Sequence, residues 1–166
     1  MKSFAKFLCY LVVTISNKML YDVHDIANKV ILQTDTEKGD IISNLKLQKM
    51  LYYLQGYHLA FFGEKLFENN LEAWTYGPVV PEVYHRFKEN KSVGISLDPK
   101  EFHEIILQPE EDDVFAQVMK EYGKFSAIKL MEMTHTESPW KEANGTPERI
   151  INPDTMKHFF SQLIDE

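Results

Sequence analysis

The chain has 166 residues, 44% of them apolar and 13% aromatic, which fits one globular domain with its own core and excludes a disordered polypeptide. It carries 25 acidic against 18 basic residues, and from Met19 onward the balance is 15 basic against 25 acidic, so the body repels phosphate backbones and favours partners with basic surfaces. Cys9 is the single cysteine, which excludes an internal disulfide and any zinc site needing two thiolates, and fits a cytoplasmic, reducing compartment.

The first eighteen residues stand apart. Lys2 and Lys6 precede the apolar run Phe7 to Ile15, and Thr14-x-Ser16 makes a poor cleavage site. Residues 1–18 read as a leader or an upstream mis-start segment, with the domain running over 19–166; an extra packed segment is the alternative. The apolar run is too short to span a bilayer, which needs roughly 20 apolar residues.

Asp22 caps an expected first helix from Val23 to about Thr34, with Val23, Ile26, Ala27, Val30 and Ile31 as its buried stripe. Residues Glu37-Lys38-Gly39-Asp40 read as a turn. Ser43 or Asn44 then caps the longest helix, about Leu45 to Phe62, which Gly63 stops. That helix is apolar nearly all round, which makes it central to the fold, and Lys46, Gln48, Lys49 and Gln55 interrupt it. A β-hairpin is expected next, pairing Lys65-Leu66-Phe67 with Leu71 to Tyr76 across Glu68-Asn69-Asn70.

Pro81 opens a short helix to about Lys88, and residues Glu89 to Pro109 are the least regular part, with a strand expected at Ile105-Ile106-Leu107. Asp112 or Asp113 caps a helix to Tyr122, ended by Gly123. Ser126 caps another, with Ala127, Ile128, Leu130, Met131 and Thr134 at helical intervals, and Ser138-Pro139-Trp140 starts a further turn or short helix. Asn152 caps the last helix, whose buried stripe is Met156, Phe159, Phe160 and Leu163. The fold class is mainly α (α+β): a compact helical domain around a central helix, with one small hairpin.

Catalytic signatures are incomplete. His135-Thr136-Glu137 matches half of a zinc deaminase motif, but no P-C-x-x-C follows to hold the metal. The six histidines include no i, i+4 pair, so no metal site is expected, and there is neither a G-x-S-x-G elbow nor a Gly-rich phosphate loop. The run Glu110-Glu111-Asp112-Asp113 reads as a solvated helix N-terminus, stabilised by the helix dipole. No catalytic residue and no cofactor is assigned.

Three segments concentrate aromatics, prolines and fixed polar groups: Leu45-Lys46-Leu47-Gln48-Lys49-Met50-Leu51-Tyr52-Tyr53, Trp74-Thr75-Tyr76-Gly77-Pro78-Val79-Val80-Pro81 and Thr134-His135-Thr136-Glu137-Ser138-Pro139-Trp140. In this order they resemble the Panacea domain, the antitoxin family typified by SocA-like and GepA-like proteins, over about Tyr21 to Phe160. The resemblance implies a bacterial or phage antitoxin that neutralises a cognate protein toxin by direct binding; the alternative within the family is an adaptor that delivers the toxin to a AAA+ protease. A small-molecule enzyme and a transcriptional regulator are the readings from other classes, the latter disfavoured by the acidic body. The family motifs divide here into an expected scaffold, Leu47, Gln48, Leu51, Trp74, Gly77, Pro78, His135, Pro139 and Trp140, and expected exposed partner-binding residues, Lys46, Lys49, Tyr53, Tyr76 and Glu137. Lys46, Lys49 and Tyr53 recur at spacings of three and four, which puts them on one helix stripe expected to reach solvent.

Overall fold

The computed structural model describes residues 20–34, 42–90, 93–98, 100, 102 and 104–165. The segment 1–18 and the expected turn at 37–40 lie outside the described residues. Among the described residues, seven α-helices and two short strands follow in chain order: α1 (Val23–Leu32), α2 (Asn44–Phe62), β1 (Glu72–Trp74), β2 (Gly77–Val79), α3 (Pro81–Phe87), α4 (Pro109–Tyr122), α5 (Ala127–Thr136), α6 (Ser138–Asn144) and α7 (Pro153–Asp165).

Helix α2 organises the rest. The Ser43 hydroxyl accepts a hydrogen bond from the Lys46 N–H, and Gly63 closes the helix at φ 75, a left-handed conformation that costs glycine little. Residues Leu47 to Leu59 are buried without a break, so the helix has no solvent face over most of its length. It packs against α1, α3, α4, α5, α7 and β2. Gly56 sets the approach of α7, because a Cβ there would stand 2.1 Å from Phe160 Cε2. Around that contact Tyr52, Tyr53 and Tyr57 meet the Phe160 ring edge-on, at centroid distances of 5.4, 6.0 and 5.0 Å.

Three expectations are corrected here. The hairpin forms one segment later than the sequence suggests: Glu72 pairs with Val79, Ala73 with Pro78 and Trp74 with Gly77. Residues 66 and 67 are unavailable for it, since Gln55 Oε1 accepts from the Leu66 N–H at 2.8 Å and its Nε2 donates to the Phe67 carbonyl at 3.0 Å. The Leu66 carbonyl accepts from the Tyr21 N–H at 3.0 Å. Helix α4 begins at Pro109, three residues before the expected cap, with the Glu111 carboxylate reaching back to the Gln108 N–H at 3.2 Å. Residues 104–107 form no strand.

The stripes on α1 and α7 stand as read: Val23, Ile26, Ala27, Val30 and Ile31 are buried, as are Met156 and Phe160, with Phe159 and Leu163 packed against the core. Ile128, counted in the α5 stripe, is instead exposed.

Candidate functional site

The three motif segments converge on the hairpin. Both edges of the two-stranded sheet are occupied. Beside β1, the Arg149 carbonyl accepts from the Ala73 N–H at 2.7 Å and the Leu71 carbonyl accepts from the Ile151 N–H at 2.8 Å. Beside β2, side chains of α2 do the work of a neighbouring strand: Lys49 Nζ donates to the Pro78 carbonyl at 2.8 Å, and Gln48 Oε1 accepts from the Val80 N–H at 2.9 Å. Gln48 is itself held by Asn44 Oδ1 at 2.9 Å, and Asn44 Nδ2 donates to the Tyr84 carbonyl at 3.0 Å. Asn44, Gln48 and Lys49 thus fix the register of hairpin and α3 on α2 through satisfied buried polar groups.

The turn is tight because Gly77 has φ 96 and lacks a Cβ, which would stand 2.7 Å from Lys49 Cε and 2.8 Å from Thr134 Oγ1. Lys49 is fully buried, and burial lowers its amine to about 7. It is accommodated as a group that sheds its charge readily, which is how a lysine occupies a core without an acidic partner.

Glu137 sits at the junction of α5 and α6, ending one and opening the other. Its carboxylate turns inward to accept from the Tyr53 hydroxyl at 2.9 Å. Burial pushes that carboxyl above the usual range, offset in part by the Tyr52 and Tyr53 hydroxyls. Glu137 Oε2 has no hydrogen-bond partner among the described residues. Tyr53 stacks on Tyr122 at 3.8 Å, and the Tyr122 and Tyr57 hydroxyls share a 2.8 Å hydrogen bond. His135 stacks on Trp140 at 4.2 Å and bonds the Thr75 backbone, while the Trp140 indole N–H donates to the Trp74 carbonyl at 3.1 Å. Burial and then the Lys49 charge hold the His135 ring below the ordinary histidine range.

The expected exposed stripe does not exist. Lys49 and Tyr53 are fully buried and Glu137 is buried, because each meets a group that the linear spacing hides: the Pro78 carbonyl for Lys49, the Tyr122 ring for Tyr53 and the Tyr53 hydroxyl for Glu137. Lys46 is half-buried and donates to the Gly123 carbonyl at 2.6 Å, at the C-terminal end of α4 where a cation is favoured. Tyr76, at the hairpin tip, is 65% exposed. Of the expected scaffold, Leu47, Gln48, Leu51, Gly77, Pro78 and Pro139 are buried, and Trp74, His135 and Trp140 are half-buried.

Beside the hairpin lies an open groove of about 690 Å³ that sequence reasoning did not foresee. Leu45, Trp74, Tyr76 and Tyr84 give its walls aromatic and aliphatic surface, and Lys88 and Arg149 also line it. Arg149 is the one described non-glycine residue with positive φ, at 53°. Its N–H bonds Thr146 Oγ1 at 3.1 Å and its carbonyl bonds β1, so the surroundings impose a conformation that costs about 1–3 kcal/mol.

No group of three or more His, Cys, Asp or Glu side chains able to hold a metal occurs among the described residues. No described helix is long and apolar enough to cross a membrane.

The family described as "Antitoxin SocA-like, Panacea domain" matches residues 47–141, a span that holds Lys49, the hairpin and Trp140. The chain belongs to this family. The Panacea match thus covers the residues that tie α2, the hairpin and the α5–α6 junction together. The chain is also similar to the protein named Antitoxin SocA of Caulobacter vibrioides (strain NA1000 / CB15N), 36% identical over an alignment of 115 residues that covers 63% of this chain. The matched region spans 61% of the length of that relative. No solved structure matches.

Proposed function

We propose that this chain is the antitoxin of a toxin–antitoxin pair and neutralises a cognate protein toxin by binding it directly, in the cytoplasm. The observation that carries the reading is the family match across residues 47–141, joined by the likeness to a protein named Antitoxin SocA. The geometry is consistent with it. The polar motif residues are engaged inside the domain, by the Pro78 carbonyl, the Val80 N–H and Tyr53, and hold a rigid hairpin whose tip offers Tyr76 to a partner. The net charge of −7 favours a toxin with a basic surface over nucleic acid.

The test is co-expression with the adjacent open reading frame in an inducible host, read as colony growth, together with the toxin level and co-purification. Growth rescue with the toxin still present and co-purifying is the expected result. Rescue that requires a AAA+ protease and removes the toxin would assign the adaptor route instead. Absence of both rescue and co-purification would overturn the antitoxin reading.

A further inference from the structure

The groove beside the hairpin differs in charge from the chain as a whole. The whole chain is acidic, at −7, yet the groove's described lining residues include Lys88 and Arg149 and no Asp or Glu. Glu72 bonds the Trp74 indole N–H at 2.8 Å but does not line the groove. The aromatic surface is partly fixed before any partner arrives, since Trp74 meets Tyr84 edge-on at 5.0 Å. The floor is also set: Asn44 and Gln48 have their amides bonded to the Tyr84 carbonyl and the Val80 N–H. Arg149 is held in an unfavourable backbone conformation by bonds on both sides, so its position is dictated by the fold and not by its own preference.

Strand addition is not open to a partner here, because residues 149–151 occupy the β1 edge and Gln48 and Lys49 occupy the β2 edge. Recognition must then come from side chains entering the groove.

We propose that the groove docks an acidic peptide segment of the protein toxin, with an aromatic or large aliphatic side chain seated among Trp74, Tyr76 and Tyr84 and a neighbouring carboxylate facing Lys88 and Arg149. This rests on the antitoxin reading for the identity of the partner, and on charge complementarity for its chemistry. An occupied groove would cover Tyr76, a large aromatic left 65% exposed at the hairpin tip. A toxin that is basic overall would meet the acidic body and present this local acidic segment to the groove, whose described lining carries two cations and no carboxylate.

A random peptide library displayed on phage, selected on the full chain, tests the groove without the toxin. Enriched sequences should place Asp or Glu beside Phe, Tyr, Trp or Leu. Lys88→Glu combined with Arg149→Asn should weaken their binding about tenfold or more, as should Tyr76→Ala, with unchanged circular dichroism. Asparagine tolerates positive φ, so the pair removes charge without breaking the backbone at 149. Basic or featureless enriched peptides, or binding within about twofold in both variants, would overturn the groove. The same variants in the co-expression assay separate the two claims. Full rescue by both would remove the groove from the interface and leave the antitoxin reading intact. Failure of the unsubstituted chain to rescue would strike that reading and the partner's identity, while the peptides still decide whether the groove binds acidic segments.

Discussion

The Tyr53 hydroxyl on α2 donates a 2.9 Å hydrogen bond to Glu137 Oε1, a residue 84 positions later at the bend between α5 and α6. Tyr53→Phe removes the donor to Oε1 and leaves the buried carboxyl with the Tyr52 hydroxyl alone to offset its burial, which should cost roughly 1–3 kcal/mol. Glu137→Gln keeps an acceptor and removes the ionisable group, so it should cost less. Urea unfolding of the single and double variants, arranged as a cycle, measures the coupling, with about 0.5–3 kcal/mol expected for a buried pair. A coupling near zero would mean that the contact does not hold the bend.

Lys49 should give the domain an alkaline gain in stability. Its folded amine lies near 7 against 10.5 for a free lysine, so between those values the unfolded chain binds the extra proton. Stability should therefore rise as pH increases from about 7 towards 10.5. The tyrosines act oppositely and later: burial raises Tyr57 to about 12, so its contribution is present below 10 and fades above it. Melting temperatures across this window should climb for the natural chain and stay flat for Lys49→Met. Equal slopes would show that the amine is not buried as described.

Gly77→Ala should destabilise the domain by roughly 1–3 kcal/mol from backbone strain alone, with the added methyl pressing on Lys49 Cε and Thr134 Oγ1. Thermal unfolding reads the cost. The hairpin tip should be displaced, which near-ultraviolet circular dichroism of Trp74 and Trp140 reports. An unchanged melting temperature would place the turn in another conformation.

Reversing both motif lysines should break the fold and not merely a surface. Lys46→Glu alone loses the bond to the Gly123 carbonyl and places an anion at a helix C-terminus, a modest cost of about 1 kcal/mol. Lys49→Glu puts a carboxylate against the Pro78 carbonyl in the core, at about 3–5 kcal/mol. Far-ultraviolet circular dichroism and solubility separate the two. A well-folded Lys49→Glu protein would return this residue to the list of surface candidates.

Periodicity and capping residues made the helices legible: Asp22, Ser43 and Ser126 each accept the capping hydrogen bond, and Gly63 ends α2. The hairpin was displaced because strand propensity at 65–67 is local, whereas Gln55 and Tyr21 take the backbone groups of residues 66 and 67 from a distance. The motif residues were visible, but their environment was not. An i, i+3, i+4 pattern places Lys46, Lys49 and Tyr53 on one stripe and cannot say whether a carbonyl or an aromatic ring waits opposite. The Asn44–Gln48 pair, at spacing four, could have been read as a local amide bond. Lys88 and Arg149 gave no signal, since the groove they line is assembled from segments distant in sequence.

Helix α2 touches α1, α3, α4, α5, α7 and β2, so no neighbour can detach without opening a face of the same rod. Its amide hydrogens should consequently exchange with deuterium only through global unfolding, at one common and slow rate from Leu47 to Leu59. In kinetic terms the helices packed on α2 behave as a single cooperative unit, so a protease would cut within them only in the wholly unfolded chain.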